Sequence, residues 1–303
     1  MDVLCVKGLK KTLGKREIIK GIDFSVKEGE IFGFLGPNGA GKTTTIRMLV
    51  GMIHPNEGTI NICGNDLSKN GEKALKEVGA VVENPELYKY LSGIENLMQI
   101  ARIRKVSKKE VDQLVELVGL KDRIKDKVEK YSLGMKQRLG LAAALIGDPK
   151  LLILDEPTNG LDPSGILDFR QIIRKAAKEK GIAVFISSHI LSEVQELCDR
   201  VAFISQGTVK SVEEIRDSGI KTEYDSLTLV CKNIDEGVNV IKKIDYINLV
   251  SVMDKNINIT LKSGQTSNML RDLLDNEVDI EEVYKNRKGL EERYIELVEG
   301  GVR

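Results

Sequence analysis

The chain of 303 residues has no tryptophan, and aromatic residues make up only 4% of it. Its cores must therefore rest on Ile, Leu and Val. Cysteine is scarce: Cys5, Cys63, Cys198 and Cys231 are scattered without paired spacing. That pattern argues against a zinc site or a disulfide framework and reads as four buried thiols in a reducing cytosol. No apolar run approaches the ~20 residues of a membrane span. The first residues, MDVLCVKGLKK, carry no apolar core of signal-peptide length. The expectation is a cytoplasmic chain whose membrane role, if it has one, comes through a partner. An excess of one charge is missing too, with 46 basic and 46 acidic residues. Sequence-independent nucleic-acid binding needs a basic excess, so the balance argues against it.

The balance is uneven along the chain. Residues 1–211 hold 33 basic and 27 acidic side chains, and residues 212–303 hold 13 and 19. A domain boundary between 211 and 212 follows from this asymmetry and from a change in texture beyond Gly207. In the first part, short apolar runs between Asp2 and Val26 read as two or three strands. Glu30 to Leu35 and Leu151 to Leu154 read as buried strands, as does Ile182 to Ile186. A helix is expected up to about Val50 with Gly51 at its end, and another from Pro163 to Lys180. Between Tyr88 and Lys130 the chain reads as helical. Ser92 with Glu95 and Ser107 with Glu110 match the capping box there. Strands alternating with helices predict a parallel α/β sheet. The second part predicts a small α+β domain, with strands at Leu227–Val230 and Asn258–Leu261 and helices at Gly237–Ile244 and Ser267–Asp275. An amphipathic segment, Leu290–Val298, closes it.

Three stretches carry chemistry. Gly36-Pro37-Asn38-Gly39-Ala40-Gly41-Lys42-Thr43 fits G-x4-GK[ST], after a strand and opening a helix, with Thr44 next. Its glycines let successive N–H groups turn inward on an anion, and the helix N-terminus adds partial positive charge. Lys42 can reach the terminal phosphates of such a ligand, and the Thr43 hydroxyl can ligate Mg²⁺. Asp155, delivered at a strand end by Leu151–Leu154, is a second candidate for Mg²⁺, and Glu156 is the candidate general base for an attacking water. His189 ends a third strand and can contact the terminal phosphate. Last, Tyr131-Ser132-Leu133-Gly134-Met135 opens a helix with a capping serine and then a glycine. A glycine in a first turn costs stability unless something must approach the backbone closely.

Together these motifs resemble the nucleotide-binding subunits of ABC transporters over roughly Val3 to Ser211, in order and spacing. The resemblance implies a P-loop NTPase fold: a RecA-like parallel core, an antiparallel β subdomain and a helical subdomain. It makes Tyr131–Met135 the signature motif, usually LSGGQ, whose Ser132, Gly134 and Met135 would serve ATP held by a second subunit. It places Asp162, in Asn159-Gly160-Leu161-Asp162, at the seam of a homodimer. Three positions depart from the family. Leu13 stands where an aromatic usually stacks on adenine. Glu83 replaces the glutamine of the Q-loop, as a possible metal ligand, and Leu133 replaces a signature glycine. The last two, with the run ENPELYKYLSGIENL (Glu83 to Leu97), resemble bacterial exporter ATPases of the bacitracin-resistance and lantibiotic-immunity type. The implied function is ATP hydrolysis that energises a separate membrane permease, at the inner face of the membrane, for export of a peptide antibiotic or similar amphipathic compound. The competing expectation is a soluble ABC-type ATPase acting on nucleic acid or the ribosome. Such relatives usually carry duplicated ATPase domains, coiled-coil insertions or zinc motifs, none of which the sequence shows.

Overall fold

The computed structural model describes residues 1–216, 219–220, 224–253, 256–286, 294 and 297. Two compact units are present, the first built on Met1–Glu213 and the second beginning at Glu214, a boundary that falls within the strand Thr208–Arg216.

The first unit opens with two long strands, β1 (Asp2–Leu13) and β2 (Arg16–Lys27), paired as an antiparallel hairpin. Then β3 (Ile31–Leu35) leads through the glycine-rich loop into α1 (Lys42–Leu49). Val50 caps that helix and Gly51 follows at φ 73°, so the expected end is displaced by one residue. β4 (Glu57–Ile62) and β5 (Asn65–Asp66) return to the hairpin and make a four-stranded sheet in the order β2-β1-β4-β5. α2 (Gly71–Lys76) and β6 (Val78–Val81) follow.

The segment expected to be helical from Tyr88 to Lys130 is interrupted. α3 (Gly93–Arg104) stops where Lys105 adopts φ 57°, and α4 (Lys108–Leu117) stops before a stretch of turns. Only a single 3₁₀ turn, Val128–Lys130, precedes α5 (Leu133–Leu145). Both capping boxes form. Ser92 accepts the Glu95 N–H while the Glu95 carboxylate accepts the Ser92 N–H, and Ser107 and Glu110 repeat the exchange.

β7 (Leu151–Asp155), α6 (Pro163–Lys180), β8 (Ala183–Ser188), α7 (Leu191–Leu197), β9 (Arg200–Ser205), β10 (Thr208–Arg216) and β11 (Gly219–Ile220) complete a seven-stranded sheet. Its order is β11-β10-β9-β3-β8-β7-β6, and the run from β9 to β6 is parallel. Every residue of β3, β7 and β8 is buried, as required of parallel strands covered on both faces. Four of the chain's six phenylalanines, Phe24, Phe32, Phe34 and Phe185, meet with ring centroids 5.3–6.0 Å apart and join the hairpin sheet to this parallel sheet. Because β3, β7 and β8 run in one direction, the residues that follow them emerge along one edge, where such sheets bind ligands.

The second unit contains β12 (Tyr224–Cys231), α8 (Ile234–Ile241), β13 (Ile247–Met253), β14 (Asn256–Lys262), α9 (Thr266–Asp275) and β15 (Ile280–Asn286). The sheet is antiparallel in the order β13-β14-β12-β15, the arrangement of a ferredoxin-like βαββαβ unit. Alternate residues Leu227, Leu229, Ile257, Ile259 and Leu261 bury one face against Ile241 of α8 and Met269 and Leu273 of α9. Capped by Asn233, α8 starts at Ile234, three residues earlier than the expected start at Gly237, and the expected Leu290–Val298 segment lies outside the described residues apart from Tyr294 and Leu297. Of the four cysteines, Cys198 and Cys231 are buried, whereas Cys5 and Cys63 are only half-buried. They lie on strands and turns whose outer side meets solvent.

Candidate nucleotide site

The glycine-rich loop is shaped from both ends. A side chain at Gly36 would place its Cβ 2.2 Å from the Ile204 carbonyl oxygen, so the loop leaves β3 tight against β9. Gly41 stands at φ 111°, a conformation L side chains rarely adopt, and turns the chain into α1. That helix starts with no acidic residue in its first turn and no side-chain cap. Among the described residues, nothing accepts a hydrogen bond from the N–H groups of Gly39, Gly41, Lys42, Thr43 or Thr44. Asn38 and Gly39 are exposed at the loop's tip. Five unclaimed donors at a helix start are the arrangement that a phosphate fills.

Lys42 bends back over this loop. Its ammonium is buried, donates to the carbonyls of Gly36 at 2.8 Å and Pro37 at 3.3 Å, and pairs with Glu156 at 3.1 Å. Glu156 follows β7 with φ 44°, an unusual value for a residue with a side chain. Its N–H donates to the Ser187 hydroxyl at 2.9 Å, and Asn159 donates to its carboxylate at 2.6 Å. His189 Nδ1 lies 3.1 Å from the same carboxylate oxygen. Burial opposes ionisation of Glu156. The bonds from Asn159 and Lys42 and the charges of Lys42 and His189 outweigh it and hold the carboxyl below its ordinary range.

Asp155 behaves oppositely. Burial pushes its pKa up, the charges of Glu156 and Glu83 add to that, and the hydroxyls of Ser187 and Thr43 only partly counter it. Ser187 donates to Oδ1 at 2.6 Å, but Oδ2 is buried without a hydrogen-bond partner. A buried carboxylate oxygen with no donor, beside the Thr43 hydroxyl, fits a divalent cation with oxygen ligands such as Mg²⁺.

The structure thus brings Lys42, Thr43, Asp155, Glu156 and His189 together. Glu83 is near enough for its charge to act on Asp155, but it bends at φ 60° beyond β6 and its carboxylate pairs with Arg47 of α1. Leu13 is half-exposed at the tip of the β1–β2 hairpin. Ser132 caps α5 by accepting the Met135 N–H at 3.2 Å. Asp162 caps α6, accepting from Gly165 N–H at 3.1 Å and from the Ser164 hydroxyl at 2.9 Å. None of the hydrogen bonds of the Lys42–Glu156 cluster reaches Ser132, Gly134, Met135, Asp162 or Leu13. Gly134 has an instructive environment. A Cβ there would meet nothing nearer than Leu161 Cδ2 at 3.7 Å, an ordinary contact. Its own chain gives no steric reason for glycine. Leu133 covers Gly160, where a Cβ would come within 2.9 Å of the leucine's Cδ2.

Sequence reasoning missed Ser187, which fixes both acidic residues at once, and Asn159 as a donor to Glu156. The signal for Ser187 was its place at the end of an apolar run beside His189. Nothing local marked Asn159 for this task.

The family model described as ABC transporter matches residues 19–159, from the hairpin through the turn after Glu156. The ABC transporter ATP-binding protein YhcH of Bacillus subtilis strain 168 is 46% identical over 97% of this chain and 95% of its own length. The bacitracin transport ATP-binding protein BcrA of Bacillus licheniformis is 41% identical over 97% of this chain and 96% of its own. Among solved structures, an ATP-binding subunit of an ABC transporter superposes with a TM-score of 0.65 at 31% identity, covering 71% of this chain and 91% of that one. The chain sets a P-loop on a parallel sheet beside two strand-end acids and matches these relatives nearly end to end: it belongs to the ATP-binding subunits of ABC transporters, which bind nucleotide and hydrolyse ATP.

Proposed function

We propose that this chain energises a separate membrane permease that exports a peptide antibiotic or similar amphipathic compound. The observation that carries the hydrolytic part is the meeting of Lys42, Glu156 and His189 beneath the unclaimed amides of the phosphate loop. The export part is supported by likeness to a bacitracin transport ATP-binding protein over nearly the full chain. Residues 1–211 act as the ATP-binding domain and 212–303 as an accessory domain, a reading supported by the separate hydrophobic core of the second unit.

The roles divide as follows. The amides of Gly39 and Gly41 to Thr44 hold the phosphates, with Gly36, Pro37, Asn38 and Ala40 shaping the loop. Lys42 moves from Glu156 to the terminal phosphates. Glu156, ionised and aimed by Asn159 and His189, takes the proton of the attacking water, and His189 contacts the terminal phosphate. Thr43 and Asp155, with Glu83 nearby, would hold Mg²⁺, which neutralises phosphate charge when bound. Leu13 covers the base with an aliphatic surface. Ser132, Gly134 and Met135 face outward to serve ATP on a second copy, and Asp162 lies at the seam. The support for this last point is the glycine that its own chain does not need. Two copies would enclose two ATP molecules.

A groove of about 370 Å³ beside β6, lined by Met52, Val82, Pro85, Leu87, Ile100 and Ala143, is the surface for the permease. No helix among the described residues is long and apolar enough to cross a membrane. On this reading the permease holds the chain at the inner face of the membrane. Co-expression with the permease tests the whole reading. Co-purification and permease-stimulated ATP hydrolysis are expected; failure of both overturns it.

A further inference from the structure

We infer that Glu193 is a positioning residue for ATP hydrolysis: its carboxylate clamps together the two strand ends that carry Glu156 and His189. Glu193 sits in the first turn of α7 and is buried, as are Thr158 and Ser188. One oxygen, Oε2, accepts from the Thr158 hydroxyl at 2.6 Å and from the Ser188 hydroxyl at 3.2 Å. Its other oxygen, Oε1, is buried and has no partner among the described residues, and no cation there pairs with it.

A buried carboxylate without a cation, half of it unsatisfied, is a costly way to fill space. What the carboxylate supplies instead is a shared acceptor. Thr158 stands in the middle of the turn that begins at Glu156, where the Asn159 N–H returns to the Glu156 carbonyl at 3.2 Å and the Leu161 N–H to that of Thr158 at 3.1 Å. Ser188 immediately precedes His189, and its hydroxyl also accepts the Ile190 N–H at 2.9 Å. Beyond the bonds that the Glu156 N–H makes to Ser187, this oxygen ties the Glu156 turn to the His189 turn through side chains. The contact it supports is the 3.1 Å approach of the imidazole to the Glu156 carboxylate. Placement of this kind matters most in the step of highest energy, where a shift of about 1 Å costs on the order of 10²-fold in rate. The phosphate loop is not part of the clamp, so nucleotide binding should not depend on it.

The inference rests on the assignment of Glu156 as the base, and the test separates the two. With the purified full-length chain, ATP hydrolysis is measured for Thr158→Val, Thr158→Ser, Glu193→Gln and the double variant Thr158→Val/Glu193→Gln, with Glu156→Gln alongside. The clamp predicts a kcat roughly 10- to 100-fold lower for Thr158→Val, with KM for ATP changed by less than about twofold. Thr158→Ser, which keeps the hydroxyl, should recover most of the rate. The double variant should be no slower than the slower single one, because both remove the same bond. A full kcat in Thr158→Val with an inactive Glu156→Gln overturns the clamp alone. So does a KM that rises as kcat falls, or a Thr158→Ser as slow as the valine. Retained turnover in Glu156→Gln overturns the base assignment and the clamp with it.

Discussion

A single carboxylate, Glu156, answers to three neighbours, and each can be removed in turn. Replacing Glu156 by Gln keeps the shape and removes the base. Hydrolysis should fall by about 10²- to 10⁴-fold while ATP still binds. Trapped ATP should then hold two copies together, which light scattering with and without nucleotide will show. Lys42→Ala should instead abolish nucleotide binding, measured with a fluorescent ATP analogue, since it removes the cation and leaves Glu156 facing the phosphates. Leu13 offers a gain. Tyrosine there restores a ring against adenine and should tighten ATP binding by roughly 1 kcal/mol, with a smaller effect on nucleotides lacking a purine base. At this scale the motifs marked the candidates. Asp155, Glu156 and His189 stand at strand ends and Lys42 opens α1, placements that the sequence alone suggests. Ser187, Asn159 and the Arg47–Glu83 pair do not, because each acts through a contact that only the folded chain creates.

Between elements, backbone approach is the controlling quantity. Gly79 of β6 lies so close to α5 that a Cβ would come within 1.9 Å of the Ala144 carbonyl oxygen. Gly79→Ala must therefore push helix from strand, and urea denaturation should show a loss of about 3 kcal/mol. In the second unit, the Tyr246 hydroxyl, ahead of β13, donates to Asp272 of α9 at 2.5 Å. Burial, then the bond to Asp272 and its charge, pushes the phenol up to about 12 from 10.0. A folded-state value raised above the unfolded one stabilises fully below pH 10.0 and is lost as pH rises through about 12. One tyrosine should thus titrate late in an ultraviolet absorbance titration, and Tyr246→Phe should remove that late step. The capping boxes of α3 and α4 were legible because serine and glutamate three apart act within one turn. β13 and β15 were not. β15 reads IEEVYKN, an edge strand with charges on it, and its pairing with β12 is a long-range event that no local period announces.

At the scale of the whole molecule, the surface proposed for the permease can be tested by itself. Ala143 lines the groove proposed for the permease and takes no part in the nucleotide cluster. Ala143→Lys should abolish co-purification with the permease and leave ATP hydrolysis by the isolated chain within about twofold. The α/β plan and a change of texture after Gly207 could be read from alternating strands and helices, because periodicity is local. The ferredoxin-like order of the second unit could not, since strand order is a property of the finished sheet. One detail of the nucleotide cluster bears on timing. The ammonium of Lys42 lies on Glu156, so on the proposed reading the group that would meet an incoming triphosphate also covers the carboxylate that would take the proton of the attacking water. Arrival of the ligand would draw that group away and free the carboxylate. On that reading the subunit would carry its own safety catch, released by the fuel it consumes.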